Sequence, residues 1–158
     1  MLYGVCMRYT KCGQDAQDIL QDGFVKIFKN IHMYSINNSF EGWIRRIIIN
    51  TAITHYRKNL KHAYHADIDD KPEARVQQAP FGVDEFTREE LLNAINALPD
   101  GYRMVFNMYV VEGYKHKEIA EMLNVDINTS KSQLSRAKKY LQKELLKMSE
   151  IKLGYEEV

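Results

Sequence analysis

Residues 116–141 constrain the fold more than any other part of the sequence, because their apolar residues recur at helical spacing in two separate sets. The sets are Ile119, Ala120 and Leu123, then Leu134, Ala137 and Leu141. In the short break between them, Val125 can fill a corner and oxygen-bearing side chains can cap a new helix, namely Asp126, Asn128 and Thr129. This arrangement predicts a helix-turn-helix whose second helix begins near Asn128 or Thr129.

The second predicted helix has a polar and basic outer face. With its apolar set turned inward, the side chains left outside are Lys131, Ser132, Ser135, Arg136 and Lys139. Short polar residues at the N-terminal end, together with basic ones, suit a helix that enters the major groove of duplex DNA. The alternative interpretation is a solvated helix in an ordinary bundle, because compact helix-turn-helix units also occur without DNA.

Composition places the chain among ordinary globular proteins. Of its 158 residues, 45% are hydrophobic and 27% are charged, and this length allows one domain or two small ones. No apolar run approaches the length of a membrane span, and the N-terminus lacks a basic segment followed by an apolar one. We therefore expect a cytoplasmic protein with no direct membrane insertion.

The distribution of charge is more informative than its sum, because the formal net charge is only +1. Residues 43–66 contain no acidic residue. Residues 130–149 contain six basic residues and a single acidic one, Glu144. Most of the acids lie in the early helix at residues 15–22 and in the middle of the chain at residues 67–90. Two basic segments with an acidic spacer indicate two contacts on one long polyanion.

The N-terminal part of the chain predicts three helices. An apolar segment, Met1 to Arg8, has no cap before it, so we expect the first domain to lack an initial helix. A second helix opens at Asp15, and its apolar set is Ala16, Ile19, Leu20, Phe24, Ile27 and Phe28. A third helix starts at Phe40 with Ser39 as its N-cap.

The third helix carries more apolar surface than one buried face needs. Its aromatic residues alternate with arginine and lysine, a combination that suits unpaired bases, which stack on rings and carry phosphates. The alternative is that Trp43 and Tyr56 belong to the core, because large aromatic side chains are mostly buried.

Residues 63–84 contain Pro72, Pro80 and Gly82 and show no period, which predicts a flexible acidic linker. Helical periodicity returns at Glu85, with a break at Pro99 and Gly101, and predicts four helices up to Leu146. Residues from 149 onward lack a periodic face and are expected to fray. The sequence thus predicts an all-α protein of two small helical domains, at residues 1–62 and 85–158.

No catalytic or metal-binding arrangement is found in the sequence. It has no glycine-rich phosphate loop and no paired carboxylates in an apolar setting, so we expect no enzyme activity and no cofactor. Cys6 and Cys12 are predicted to be reduced packing residues, because no further ligands lie at a metal-site spacing. His55, His62 and His65 are expected to be solvated or to face phosphates.

Three blocks of the sequence together resemble the extracytoplasmic-function (ECF) sigma factors, two-domain proteins that direct bacterial RNA polymerase to promoters. The blocks are DAQDILQDGFVKIFKN, SFEGWIRRIIINTAITHYRK and LLNAINALPDGYRMVFNMYVVEGYKHKEIAEMLNVDINTSKSQLSRAKKYL. They occur in the family's order within residues 1–146. Two departures stand out: Asn124 replaces the usual glycine of the turn, and Ser130 replaces the usual valine, which would weaken the inner face of the second helix.

The resemblance implies three roles and three partners: core RNA polymerase, promoter DNA and, for many members, an anti-sigma factor. The helix opening at Asp15 would bind the polymerase clamp through Asp18, Gln21, Asp22, Phe24 and Phe28. Residues 40–61 would melt and read the minus-ten element through Trp43, Arg46, Asn50, Thr54 and Tyr56. The helix-turn-helix would read the minus-thirty-five element through Thr129, Lys131, Ser132, Ser135, Arg136 and Lys139.

Two other classes of protein remain open at this point. A two-domain transcriptional regulator that binds duplex DNA without polymerase explains the helix-turn-helix but leaves the acidic helix and the aromatic basic segment without a role. A pure protein-interaction bundle predicts no DNA binding at any salt concentration. Co-purification with core polymerase distinguishes the first alternative from a sigma factor.

Overall fold

A computed structural model describes residues 1–62 and 86–156, and every regular element within these ranges is helical. The chain divides into two compact units, Met1–Ile68 and Asp69–Val158. The predicted all-α fold is therefore confirmed for the described residues, whereas the predicted linker at 63–84 lies outside them. Within the described ranges, no helix is long and apolar enough to cross a membrane.

The first unit packs three helices against one another. They are α1 (Leu2–Tyr9), α2 (Gly13–Asn30) and α3 (Phe40–His62), with a 3₁₀ turn at Ile31–Met33 after α2. The period of apolar residues determines the core, which comprises Val5, Cys6, Tyr9, Ala16, Ile19, Ile27, Ile48, Ile49, Ala52 and Ile53. Helices α2 and α3 approach closely at Gly23, where a Cβ atom would collide with Ile48 Cδ1.

The caps of the first unit correct one prediction and confirm another. Helix α2 begins at Gly13, and the Sγ atom of Cys12 accepts a hydrogen bond from the Asp15 amide at 3.5 Å. Cys12 is thus an exposed cap and not a packing residue, whereas Cys6 is buried and its burial raises its thiol pKa to about 11. Ser39 caps α3 as predicted, because its Oγ atom accepts the Gly42 amide at 3.2 Å.

The second unit contains the four predicted helices: α4 (Arg88–Ala97), α5 (Asp100–Phe106), α6 (His116–Leu123) and α7 (Ile127–Glu156). A π-helical turn, Asn107–Val111, continues α5. Pro99 is the N-cap of α5, so Gly101 lies inside the helix and does not mark a break. The core is formed by Phe86, Ala94, Leu98, Met104, Val105, Met108, Ile119, Ala120, Leu123, Leu134, Ala137 and Leu141.

Helix α7 continues to Glu156, whereas the sequence predicted fraying from Ser149. Its last turns are bound to the start of the unit, because Lys152 Nζ lies 2.9 Å from Glu90 Oε2 and 5.1 Å from the centre of the Phe86 ring. Glu90 also forms a reciprocal capping box with Thr87 at the start of α4. The Lys152 ammonium and the Thr87 amide lower the pKa of the Glu90 carboxyl group.

Candidate nucleic-acid interface

The turn of the helix-turn-helix depends on Asn124, which ends α6 with a left-handed backbone at φ 56° and ψ 49°. Asparagine tolerates this conformation better than most residues, which explains why glycine is not required here. The Val125 amide donates to the Ala120 carbonyl at 3.0 Å, and Asp126 Oδ1 accepts from the Asn128 amide at 2.7 Å. Asp126 therefore provides the cap, and α7 begins at Ile127, slightly before the predicted position.

Helix α7 presents most of the predicted minus-thirty-five residues together on one exposed face. The inward residues are Leu134, Ala137 and Leu141, all buried as predicted, and Ser130 is buried beside them. On the other side, the side chains of Lys131, Ser132, Ser135, Arg136 and Lys139 are exposed, while Thr129 is half-buried. The exposed face extends to further cations at Lys138 and Lys143.

Ser130 was predicted to weaken the inner face, and the structure gives its buried hydroxyl a partner that offsets the cost of burying it. Ser130 Oγ lies 3.0 Å from His116 Nδ1, which joins α7 to the first residue of α6. The His116 ring stacks on Tyr109, with centroids 4.5 Å apart and planes 24° apart. Burial, together with the charges of Lys131 and Lys138, lowers the pKa of His116. A buried hydroxyl requires such a partner, but the sequence does not identify which residue supplies it.

Helix α3 places three of the predicted minus-ten residues on one exposed stripe. Arg46, Asn50 and Thr54 are exposed and follow one another at intervals of four residues, so their side chains lie along the same side of the helix. Further along the helix, Arg57 and Lys58 are also exposed. The opposite side of α3 supplies the core through Ile48, Ile49, Ala52 and Ile53.

The two aromatic residues predicted to contact the minus-ten element are both half-buried. Trp43 belongs to a ring cluster with Tyr34 and Phe40, at centroid distances of 5.6 and 6.0 Å. It therefore combines packing with an accessible surface, so the structure fits both interpretations of this residue. Tyr56 lies two residues after Thr54, which directs its side chain away from the exposed stripe.

Helix α2 presents a mixed acidic and apolar surface, which we call the α2 face: Gln17, Asp18, Leu20, Gln21, Asp22, Phe24, Val25 and Phe28. Its apolar members and two glutamines line a shallow groove of about 410 Å³. Phe24 is 40% exposed and Phe28 74% exposed, so these two members of the apolar set of α2 lie outside the core. The inner side is filled by Ala16, Ile19, Gly23 and Ile27, because the close contact at Gly23 leaves no space there for larger rings.

Two polar contacts join α2 to α3. His55 Nε2 lies 2.8 Å from Asp22 Oδ2, and Lys26 Nζ donates to Thr51 Oγ1 at 3.1 Å. His55 was predicted to be solvated or to face phosphates, and the structure instead gives it a carboxylate partner. The side chain of His62, and His65 as a whole, lie outside the described residues. Within the described ranges, no group of three or more His, Cys, Asp and Glu residues is arranged to hold a metal ion.

Comparison with known proteins agrees with this arrangement of surfaces. Residues 1–61 match the family model described as Sigma-70 region 2, and residues 88–141 match that of Sigma-70, region 4. The ECF RNA polymerase sigma factor SigW of Bacillus subtilis is 30% identical over 155 residues, covering 91% of this chain and 82% of the relative. The ECF RNA polymerase sigma factor SigE of Mycolicibacterium smegmatis is 26% identical over 151 residues, covering 94% of this chain and 58% of the relative.

A solved structure shares the fold. The sigma factor RpoE of Bartonella quintana, crystallised with the anti-sigma factor NepR, superposes with a TM-score of 0.56 at 21% identity, covering 91% of this chain and 89% of that one. The helical surfaces described above thus lie within segments that match region 2 and region 4, in that order. The chain therefore belongs to the ECF family of RNA polymerase sigma factors, and it directs the initiation of transcription.

Proposed function

We propose that this sigma factor binds core RNA polymerase through the α2 face and reads its promoter through two separate helices. Helix α3 contacts the minus-ten element with the exposed stripe, and α7 contacts the minus-thirty-five element with its basic outer face. The observation that carries this proposal is the exposure of these three surfaces on the segments that match region 2 and region 4. The protein carries out no catalysis of its own and acts in the cytoplasm, where polymerase and chromosome are found.

The α2 face suits a partner surface that is both apolar and basic. Phe24 and Phe28 expose rings that would be buried only by a partner, and rings of this kind often dominate interface energies. Asp18 and Asp22 are exposed on the same helix as the groove and favour positively charged side chains on the partner. This combination supports the assignment of α2 as the polymerase-binding element.

Charge reversal on α2 is expected to weaken assembly with core polymerase. Asp18→Arg places a cation where the partner offers cations, and the exposure of Asp18 means that the fold should not change. Asp22→Arg should have the same effect on assembly, but it also removes the partner of His55. The recovery of core polymerase in a pull-down with each variant measures the effect, and we expect about a tenfold loss or more.

The matched control is Glu41→Arg, which reverses an exposed acid in the first turn of α3 and leaves helix α2 unchanged. This variant should recover polymerase at close to the wild-type level. If Asp18→Arg and Asp22→Arg recovered as much polymerase as the wild type, the assignment of α2 would be wrong.

Alanine substitutions of Arg136 and Lys139, both on α7, are expected to have different effects on DNA binding. If Arg136 forms a bidentate contact with a base, Arg136→Ala should cost about 1–3 kcal/mol at one promoter position and relax the preference there. Lys139 is proposed to contact a phosphate, so Lys139→Ala should weaken binding to every sequence and flatten the salt dependence. Binding to a set of singly altered minus-thirty-five duplexes at two salt concentrations measures both effects.

Lys147→Ala serves as the control, because this residue lies near the C-terminal end of α7 and forms an ion pair with Glu144. Its removal should change neither the sequence preference nor the salt slope appreciably. A uniform loss of affinity for both Arg136→Ala and Lys139→Ala would place the base-reading residues elsewhere on the helix.

Regulation by a protein partner is part of the proposal. The Bartonella quintana sigma factor with the same fold was crystallised with an anti-sigma factor, so a chain of this architecture can be held by such a partner. We propose that an anti-sigma factor restrains this protein as well, by covering surfaces that polymerase or DNA would otherwise contact.

A further inference from the structure

His116 lies at the junction of the two helices of the helix-turn-helix. It is half-buried, its Nδ1 atom lies 3.0 Å from the Oγ atom of Ser130, and its ring stacks on Tyr109 at 4.5 Å. Ser130 is completely buried, and its neighbour Lys131 belongs to the exposed face of α7. The ring is thus held in one place beside the proposed DNA-binding face.

The charged surroundings of His116 are mainly positive. The ionisable groups near it are Lys131 and Lys138 of α7, Tyr109 of the π-helical turn, and Lys115, Lys117 and Glu118 at the start of α6. Glu118 is the only acid in this set, and its Oε2 atom accepts a hydrogen bond from the Lys115 backbone amide at 2.8 Å. In the free protein, the pKa of His116 is lower than the usual histidine value of 6.5. Burial of the ring is the main cause, and the charges of Lys131 and Lys138 add to it.

We propose that His116 takes up a proton when duplex DNA binds to α7, so that its imidazolium joins the phosphate-binding surface of the minus-thirty-five interface. This inference rests on the proposed function of α7. Burial is the larger cause of the lowered pKa of His116, and the charges of Lys131 and Lys138 are the smaller one. The phosphates of bound DNA would neutralise these two lysines and would attract an imidazolium, and both effects favour the protonated ring. The imidazolium then adds a positive charge at a site fixed by Ser130 and Tyr109.

The contact with Ser130 can accommodate both protonation states. A neutral ring with an unprotonated Nδ1 atom accepts a hydrogen bond from the hydroxyl, whereas a protonated Nδ1 atom donates to the hydroxyl oxygen. Serine supplies both functions, and in the second state its own hydrogen can turn to a backbone carbonyl one helical turn earlier. A valine at this position would provide neither function, so it would leave the charged nitrogen of the half-buried ring without this partner.

The sign of the pH dependence follows from linkage. If the pKa of His116 is higher in the complex than in the free protein, binding takes up protons, and affinity increases as the pH falls through the window between the two values. Above the pKa of the complex, the histidine is neutral in both states and contributes nothing to the dependence. Because a single histidine takes up at most one proton, its protonation can change the affinity by at most about tenfold for each pH unit within that window.

The test uses the full chain and a fluorescently labelled mixed-sequence duplex of about two helical turns. Its dissociation constant is measured at about pH 8 and about pH 6, at one fixed salt concentration. From the higher to the lower pH, wild-type binding should tighten about threefold to tenfold more than that of His116→Gln. Ser130→Val should reduce the difference, whereas His32→Gln, which removes an exposed histidine of the 3₁₀ turn, should keep the wild-type pH dependence.

The possible outcomes separate this inference from the proposed function. Equal pH dependence in the wild type and His116→Gln, with duplex binding retained, overturns the inference and leaves the role of α7 intact. Absence of duplex binding by the wild type at both pH values overturns both. If His116→Gln does not fold, His116→Tyr retains a ring against Tyr109 and takes its place in the comparison.

Discussion

The double variant Arg46→Ala, Asn50→Ala is expected to bind a minus-thirty-five duplex normally but to lose the opening of the promoter. Both residues lie on the exposed stripe of α3, one turn apart, where a guanidinium group and an amide can contact unpaired bases and their phosphates. A hydrogen bond contributes about 0.5–1.5 kcal/mol, or about 1.5–3 kcal/mol where one group is charged, so losing both residues should reduce opening at least about tenfold. The permanganate reactivity of the minus-ten thymines, measured with holoenzyme, reports the opening directly.

This pair is a sharper test than Trp43→Ala, because Trp43 packs against Tyr34 and Phe40 and its removal would also disturb the structure. The matched control is Asn59→Ala, an exposed asparagine on the same helix that lies off the stripe. The control should open the promoter as the wild type does, and thermal unfolding of both proteins should change little. If the double variant showed the permanganate reactivity of the wild type, the proposed role of α3 in opening the promoter would be wrong.

Helix positions and buried faces could be predicted from the sequence because they depend on local properties. The inward set of α7, Leu134, Ala137 and Leu141, follows from the spacing of apolar residues alone. The cap at Ser39 and the left-handed Asn124 follow from the preferences of single residues. These predictions required no knowledge of how one helix packs on another.

Contacts between side chains of different helices could not be predicted in this way. Asp22 and His55 are separated by 33 residues, and Glu90 and Lys152 by 62, so their contacts depend on the crossing of helices and on side-chain directions. The outward position of Phe24 and Phe28 has a similar origin. The period identified them as apolar, but only the close packing at Gly23 determines which part of a wide apolar arc is buried.

The largest loss of stability is expected from Arg103→Ala in the second unit. The Arg103 side chain is 4% exposed and holds the turn between α4 and α5. Its Nη1 atom donates to the carbonyl oxygens of Leu98 at 3.0 Å and Asn96 at 3.3 Å, and its Nη2 atom donates to Asp100 Oδ1 at 2.8 Å. Alanine would leave these acceptors without their donor and would open a cavity, which should cost about 2–4 kcal/mol.

The two units allow this loss to be measured with an internal reference. Trp43 is the only tryptophan of the chain and lies in the first unit, so its fluorescence reports that unit alone. Circular dichroism reports the helices of both units. For Arg103→Ala, the thermal transition of the second unit should fall by on the order of 10 °C, while the transition reported by Trp43 should stay in place.

Two further variants test whether the geometry of the guanidinium group is the cause. Arg103→Lys keeps the charge but cannot supply several donors in a fixed plane, so its stability should fall between those of the wild type and Arg103→Ala. Asp100→Asn weakens only the contact to a carboxylate that is 55% exposed, and it should cost less than about 1 kcal/mol. If Arg103→Ala unfolded within about 1 kcal/mol of the wild type, other contacts would have to hold the α4–α5 turn, because three lost hydrogen bonds at a buried site should cost more than this.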